Sequence, residues 1–426
     1  MFSAGYSWLA FAAVFLFRYI RLCVNVYAYY IGYKPTPIPE KLYPRDNITV
    51  ILPTLGENAE ELLITIQSAL QNEPQKIVLV TPKVHLKRVE AMMQNVYEPA
   101  RNRIKVLTSN MTNKRQQIVR ALPDEVETPF VMLIDDDVKL PPTFSDWVLA
   151  PFANPNVGGV GTNQRVRRSE KPNFWEILGG IYLQRRNFDC TACNYMDGGL
   201  PCLSGRAVVY RSSILKDPEF MTQFNEESVS WFKKKYLLNA DDDNFITRWL
   251  FKTGYDIRMQ NHPDCEVETT LAPDRTYLRQ CVRWSRSNWR SNLTSLFTER
   301  NVYLMYPWST YAVFLTTVTQ WALAMDLTMI YLLSRVVRGW DTYDTYIAYF
   351  LFFCWWLMSR FIKFVGYFRQ YPMDLVNYGL LIIGFGYFHN FIKFFSACTI
   401  LNTDWGSRED ADRAPDNKER LRRLRD

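Results

Sequence analysis

Phe130-Val-Met-Leu-Ile134 is an unbroken apolar run, and Asp135-Asp136-Asp137 follows it directly. A short apolar run bounded by turn formers reads as a buried strand. Three adjacent carboxylates at its end repel one another, and ionising all three is costly unless water or a cation screens them. Their hard oxygens suit Mg²⁺ or Mn²⁺. A solvated turn with a helix cap further on is the plainer alternative. Turns favour Asp, yet rarely need three directly after an apolar strand.

The pattern repeats upstream. Asn47-Ile-Thr-Val-Ile-Leu-Pro53 reads as a strand, Lys76-Ile-Val-Leu-Val80 as a second and Arg103-Ile-Lys-Val-Leu107 as a third. The spacing predicts a helix over 60–72, with Leu62, Leu63, Ile66 and Leu70 on one face, and another over 115–122. Alternation of strand and helix predicts an α/β fold with a mostly parallel sheet and flanking helices. Such sheets bind ligands beyond the carboxyl ends of their strands. The residues just after each strand are therefore the candidates.

Downstream, a second acidic trio, Asp241-Asp242-Asp243, opens a helical stretch containing Phe245, Ile246, Trp249 and Leu250. One Asp suffices to cap a helix and complement its dipole; a functional reading makes one of them a general base. Arg279-Gln-Cys-Val-Arg-Trp-Ser-Arg-Ser-Asn-Trp-Arg290 mixes aromatic and basic residues as an interfacial helix does. Gln280, Arg283 and Trp284 share one helical face. From there Arg283 can hold a pyrophosphate and Trp284 can stack on a sugar ring.

The 426 residues carry 50 basic and 43 acidic side chains, formally +7, and 48% are hydrophobic, which excludes a disordered chain. The mean hydropathy of -0.19 averages a polar middle with apolar, aromatic ends. Residues 6–30 are long enough to span a bilayer of about 30 Å. Arg18 and Arg21 lie toward one end of that run, where they can snorkel to head groups; an interfacial amphipathic helix is the alternative. Lys34-Pro-Thr-Pro-Ile-Pro39 follows as a stiff linker. Residues 311–333 contain Asp326, and 345–368 carry Arg360 and Lys363 near their end. Residues 375–401 are interrupted by Gly379, Gly384, Gly386 and His389-Asn390, which predicts a bend or close packing.

The tail, Lys418-Glu-Arg-Leu-Arg-Arg-Leu-Arg425, belongs in the cytosol by the positive-inside rule. If the polar middle is cytosolic too, an even number of crossings separates them. Residues 311–333 and 345–368 supply two. Residues 375–401 are then a bent, re-entrant or interfacial segment, and the first run places the N-terminus outside. The expectation is a multi-pass protein of the plasma membrane. The basic excess lies beside apolar segments and in the tail, which suits anionic lipid better than nucleic acid. Eight Cys are too few for a disulfide scaffold. Cys190-x-x-Cys193 and nearby Cys202 lack a fourth zinc ligand, so reduced, partly buried thiols are expected. The sequons at Asn47, Asn110 and Asn292 mean nothing in the cytosol.

Taken as an ensemble, these motifs resemble the family 2 glycosyltransferases of GT-A fold, above all the membrane-embedded hyaluronan synthases and fungal capsular-polysaccharide synthases. The resemblance runs from Asn47 to Arg408. It is carried by the D-x-D type triplet, Leu203-Ser204-Gly205, the acidic pair before Asn244, Gln280-x-x-Arg283-Trp284 and Trp405-Gly406-Ser407-Arg408. It implies Asp135 and Asp137 at the metal, with Mg²⁺ or Mn²⁺ as cofactor, and Asp135 and Asp136 at the nucleotide. It implies Thr54, Glu57, Lys114, Arg115 and Arg283 around the donor. Asp242 matches the base, with Asp241 beside it. Ser204, Gly205, Arg206, Gln280 and Trp284 would bind the acceptor, and Trp405 to Arg408 would close on the nucleotide.

Three features depart from the family pattern. Thr81-Pro82 stands where an Asp usually follows the second strand, so the UDP-sugar donor is less secure than a nucleoside diphosphate. Arg206-Ala207 replaces Pro-Leu after Ser204-Gly205. One apolar run precedes the catalytic region where hyaluronan synthases have two. The channel would then have fewer helices or be completed by another subunit, which keeps a homo-oligomer open.

The implied chemistry is inverting transfer. The cation and Arg283 neutralise the departing diphosphate, Asp242 takes the proton of the acceptor hydroxyl, and an α-linked donor gives a β-linked product. The polymer would leave through the apolar segments. The expected organisation is a transmembrane helix over 1–33, a Pro-rich linker over 34–46 and a cytosolic GT-A domain over 47–270. Interfacial helices over 271–305, transmembrane and re-entrant segments over 306–401, and a cytosolic gating motif and basic tail over 402–426 complete it. A non-processive transferase acting on a lipid is one rival. A decayed membrane scaffold is another, and the two intact Asp clusters argue against it.

Overall fold

The computed structural model describes residues 4–96, 98–110, 113–231 and 234–403. Helix α1, Ala4–Tyr27, opens the chain. The extended, Pro-rich segment then leads into a seven-stranded sheet. Its strands are β1 Ile48–Pro53, β2 Lys76–Pro82, β3 Ile104–Ser109, β4 Phe130–Ile134, β5 Val157–Thr162, β6 Ala207–Arg211 and β7 Asp256–Gln260. The order is β7-β5-β6-β4-β1-β2-β3. β4, β1, β2 and β3 run parallel, as does the β7–β5 pair; β6 runs antiparallel to both β4 and β5.

Both faces of the sheet are covered. Ile48, Val50 and Leu52 of β1 join Phe130, Met132 and Ile134 of β4 in one core. Ile51, Val131 and Leu133 join the core on the other side. Burial on two faces is why these strands read as continuous apolar runs rather than alternating ones. Helix α2, Ala59–Gln71, starts at Asn58, whose side chain accepts from Glu61 N, and places Leu62 and Ile66 against the sheet. Helix α3, Lys114–Glu125, packs on the opposite face through Ile118, Ala121 and Leu122. The long α4, Phe174–Asp197, is held at its start by a reciprocal Asn173–Glu176 capping box and ends at Gly198, whose φ of 84° is open to glycine. α5, Asp242–Lys252, and α6, Thr276–Leu293, follow.

Three apolar helices lie in the last part of the described chain: α7 Ala322–Val336, α8 Thr342–Phe361 and α9 Pro372–Cys398. Tyr6–Gly32, Thr342–Gln370 and Pro372–Cys398 are each long and apolar enough to cross a membrane. α1 packs beside α7 and α8, with Phe15 and Tyr19 5.5 and 5.4 Å from Trp355.

Two expectations about these helices are corrected. The glycines do not break residues 375–401: α9 is continuous, Gly384 and Gly386 face open space, and Gly379 lies near Phe361. The break falls instead in the run over 311–333, where Pro307–Thr319 and Ala322–Val336 meet at 87°. No Gly or Pro marks that bend. Its freed backbone groups are answered from α9: Asn390 Oδ1 accepts from Ala322 N (3.0 Å), and Lys393 Nζ donates to Gln320 O (3.2 Å). The Gln320 side chain donates to Phe17 O (2.8 Å). Nor do Arg18 and Arg21 run out to head groups. Arg18 lies 3.6 Å from Asp326, and Arg21 donates to Ala312 O (2.8 Å) and Thr316 Oγ1 (2.9 Å). Buried charge is retained where it is paired or hydrogen-bonded.

Both ends of α9 are tied to the sheet-bearing part of the chain. Asp374 near its start accepts from Arg168 (2.8 Å). Past its end, Ile400 O and Asn402 O accept from Arg290 of α6 (3.0 and 3.1 Å). Between these, Trp289 Nε1 donates to Lys393 O (3.0 Å) and Ser396 Oγ to Val282 O (3.2 Å). α9 therefore lies along α6.

Candidate active site

The carboxyl ends of β1 and β4 meet through Thr54. Its hydroxyl donates to Asp136 Oδ2 (2.5 Å) and accepts from Gly56 N (2.9 Å), at a turn where Gly56 has a φ of 63°. Gln117 of α3 braces the same corner, donating to Val80 O (2.8 Å) and Thr54 O (3.2 Å). Glu57 stands exposed on the following loop.

Asn113 caps α3 by accepting from Arg115 N (2.9 Å), and its amide donates to Asn239 Oδ1 (2.6 Å). This fastens the start of α3 to the loop leading into the second acidic trio. Lys114, in the first turn, then reaches both trios: its Nζ lies 2.7 Å from Asp135 Oδ1 and 3.0 Å from Asp242 Oδ2. Burial works against the Lys114 charge, but Asp135 and Asp242 outweigh it and hold the ammonium above its ordinary pKa. Gly205 leaves room for this: a Cβ there would stand 3.1 Å from Lys114 Nζ and 3.6 Å from Asp242 Oδ2.

Asp241 enters α5 with a φ of 65°, in the left-handed region that non-glycine residues seldom adopt. Its Oδ2 accepts from Arg290 Nε (2.7 Å). Burial alone would raise its pKa; the Arg290 charge and hydrogen bond, with the Ser287 hydroxyl, hold it below the ordinary carboxylate value. Asp242, the first residue of α5, is only 4% exposed. Asp243 accepts from Gly205 N (3.4 Å) and Asn244 N (2.8 Å).

Asp137 closes the first trio and is half-buried. The Thr269 and Thr270 hydroxyls are 3.5 and 3.4 Å away, brought there by a small sheet of Val138–Lys139, Val267–Thr269 and Gln164–Val166. Burial first, and then the Asp135 charge, push its pKa up to about 7. A half-buried carboxylate beside a second one, answered by weak hydroxyl contacts, fits a divalent cation. Among the described residues no group of three or more His, Cys, Asp or Glu could hold a metal by itself. Mg²⁺ bound there would take one or two carboxylates and complete its shell with substrate phosphates and water.

The acceptor candidates gather on the other wall. Trp284 stacks on Tyr182 at 4.9 Å between centroids, with the Arg206 guanidinium 5.6 Å from its ring. Arg206 Nη1 donates to Gln164 Oε1 (2.9 Å) and lies 3.4 Å from Ser204 Oγ. Gln280 accepts from Ala272 N at the head of α6 (3.3 Å). Arg283 sits where Asp241, Asp243 and Asp135 each favour its charge, against burial, which lowers its pKa.

One candidate is corrected. Arg115 does not reach the cleft. Its guanidinium is fully buried, donating to Phe224 O (2.7 Å), Ala240 O (2.8 Å) and Glu227 (2.5 Å). Those partners consume its planar fork of donors, and it shapes the loop before Asp241 instead. Trp405 and Arg408 lie outside the described residues.

Residues 44–287, more than half of the chain, match the family described as "Glycosyltransferase like family 2". The chain belongs to the family 2 glycosyltransferases. It is 43% identical to a "Type 2 glycosyltransferase" of Zymoseptoria tritici over 98% of this chain and 87% of that one. A protein of the same description from Pyricularia oryzae is 39% identical over 95% and 82%. Human hyaluronan synthase 3 is more distant, 29% identical over 45% of this chain and 32% of its own. Among solved structures, the mannosyltransferase PcManGT from Pyrobaculum calidifontis, in complex with GDP-Man and Mn²⁺, aligns with a TM-score of 0.54. The alignment covers 92% of this chain and 99% of that one at 14% identity, a likeness of fold.

In this family 2 glycosyltransferase the sequence reading missed Arg290 and Gln164. Arg290 lies seven residues after Arg283, two helical turns on, so its place on the same face of α6 was available as a signal. Gln164 had none; a small edge strand delivers it to Arg206. The eight thiols are free, and Cys190 and Cys193 are buried in α4, where burial raises their pKa values.

Proposed function

We propose that this glycosyltransferase is an inverting, membrane-bound enzyme that moves a sugar from a nucleoside-diphosphate donor, a UDP-sugar, to an acceptor hydroxyl held at Trp284, extending a β-linked extracellular or capsular polysaccharide. One observation carries the reading: Lys114 touches both Asp135 and Asp242. The carboxylate that faces the donor diphosphate and the carboxylate that faces the acceptor thus lie within reach of one ammonium group.

In the proposed step the acceptor oxygen attacks the anomeric carbon, the bond to the diphosphate breaks, and the acceptor proton passes to Asp242. Lys114 and Arg283 supply positive charge where the leaving diphosphate gathers negative charge. A Mg²⁺ or Mn²⁺ ion held by Asp135 and Asp137 would neutralise that diphosphate further. Trp284, set by Tyr182 and Arg206, would offer a face to the acceptor sugar.

The contacts of α9 support an orientation. Because Asp374 and Asn402 both touch the catalytic part, α9 is read as an interfacial helix with both ends in the cytosol, while α1 and α8 cross, as does α7 joined to the bent segment Pro307–Thr319 as one broken span. This agrees with the even parity expected from the basic tail. The deciding experiment incubates purified protein and Mn²⁺ or Mg²⁺ with a panel of nucleotide sugars, measuring released nucleoside diphosphate and product length. A ladder or smear supports a polymerase; a single glycolipid supports a non-processive enzyme; no release from any donor ends the transferase reading.

A further inference from the structure

Asp242 begins α5, so the direction of its carboxylate follows from the residue before it. That residue, Asp241, has a φ of 65°, a conformation that non-glycine side chains hold only where their surroundings over-determine it. The surroundings come from two sides. At the start of α3, Asn113 donates to Asn239 Oδ1 (2.6 Å), and Arg115 donates twice to Ala240 O (2.8 and 3.2 Å). From α6, Arg290 Nε donates to Asp241 Oδ2 (2.7 Å), Ser287 Oγ accepts from Asn244 Nδ2 (2.7 Å) and Ser291 Oγ accepts from Arg248 Nη1 (2.8 Å). Residues 287, 290 and 291 fall on one face of α6, and that face seats the first two turns of α5.

The α3 contacts belong to the helix that carries Lys114 and go with the donor side. The α6 contacts answer to the membrane side. Arg290 is only 5% exposed, and its Nη1 donates to Ile400 O (3.0 Å) and Asn402 O (3.1 Å), just past the carboxyl end of α9. One turn earlier, Arg286 Nε donates to Thr399 Oγ1 (2.9 Å). A cation suits the carbonyls at a helix carboxyl end. A guanidinium is planar, with its donors in a fixed fork. Nε and Nη1 therefore cannot be aimed independently. Where the Ile400 and Asn402 carbonyls draw Nη1, Nε follows, and Asp241 with it.

We infer that Arg290 is a positioning residue for proton transfer. It sets Asp242 through the turn at Asp241, and it takes its own place from the carboxyl end of α9. The base is then aimed at the acceptor only while α9 lies along α6, so an apolar helix governs a step in the cleft. The inference rests on the transferase reading, with Asp242 as base, and names a residue on which that base depends.

The test measures turnover of the purified full chain with radiolabelled nucleotide sugars, expressed per nucleoside-diphosphate binding site so that loss of folded protein does not count. Arg290→Lys keeps the charge but cannot hold a carboxylate and two carbonyls in one plane. It should lower kcat by about 10- to 100-fold, the cost of a misplacement of about 1 Å, with donor KM within about twofold of native. In an Asp242→Asn background the same substitution should cost less than about twofold, because the group it positions is gone. Thr399→Val cuts the Arg286 contact at the end of α9 and touches neither acid. It should lower kcat by about threefold, one hydrogen bond's worth, and likewise lose its effect beside Asp242→Asn; it keeps the test alive if Arg290→Lys fails to fold. Equal losses with and without Asp242 would make Arg290 a structural brace. Native kcat in Arg290→Lys would break the link to the base, and native kcat in Thr399→Val the link to α9. Each of these overturns the inference. If the native chain transfers no sugar from any donor, the transferase reading fails and takes this inference with it. If the native chain transfers and Asp242→Asn does not, an unaffected Arg290→Lys sinks this inference alone.

Discussion

Arg290 Nε donates to Asp241 Oδ2 over 2.7 Å, while Nη1 of the same guanidinium holds Ile400 O and Asn402 O. One side chain thus joins the acidic trio of α5 to the chain leaving α9. Removing it strands a buried carboxylate, so Arg290→Ala should cost about 3–5 kcal/mol. Arg290→Lys should recover part of that, keeping the charge and losing the fork. Thermal melting in detergent checks both. Asp241 adds a pH signature. Its folded pKa is held below the unfolded value of about 3.9, so its stabilising contribution is present above that pH and lost as pH falls through the folded value. The acid-side fall in melting temperature should be smaller in Asp241→Asn than in the native chain.

Asp242→Asn tests the base. The amide fills the same space and can still accept a hydrogen bond from Lys114 through its oxygen, so fold and donor binding should survive. Transfer should fall by about 10² to 10⁴, because an amide cannot take the acceptor proton. Donor affinity measured beside turnover separates the two effects, and near-native turnover would remove Asp242 from the role.

The two acidic trios should respond differently to metal. Asp137→Ala takes away the carboxylate best placed for a cation, so Mn²⁺ should lose its effect on both activity and nucleoside-diphosphate binding. Asp243→Ala should be much milder, since Asp243 is engaged by the backbone of Gly205 and Asn244. Calorimetric titration of Mn²⁺ with nucleotide present gives a readout independent of turnover. Equal loss in both variants would reverse the assignment of the acids.

The legible parts of this molecule were those where one local rule decides. Phe130 to Ile134, buried on both faces, had to read as a central strand, and the acids after it had to lie at the strand end where ligands bind. What escaped was decided by side chains meeting across long separations. Arg115 stands in a basic pair with Lys114, and the carbonyls of Phe224 and Ala240 with the Glu227 carboxylate turn it inward. The bend at Gln320 has no breaker in the sequence; Asn390 and Lys393 answer its freed backbone groups from α9. The glycines of α9 suggested a break that a helix supported along α6 does not need.

The tail connects topology to catalysis. Asn402 O is held by Arg290, and Arg290 is held by Asp241, so the chain leaves α9 beside the cleft. Trp405 and Arg408 follow that anchor by three and six residues and lie outside the described residues; their closing on the donor is the reading tested here. A crossing by α9 would strand the basic tail on the far side and is hard to reconcile with the Arg168–Asp374 contact at its other end. A cysteine introduced as Asp416→Cys should therefore be labelled by an impermeant reagent only after cells are permeabilised, once Cys23, Cys354 and Cys398, the exposed native thiols, have been replaced. Arg408→Ala should weaken transfer while leaving membrane insertion unchanged, because one charge-assisted phosphate contact is lost. Labelling of the tail on intact cells would overturn the interfacial reading of α9 and the closing role of Trp405 and Arg408 together.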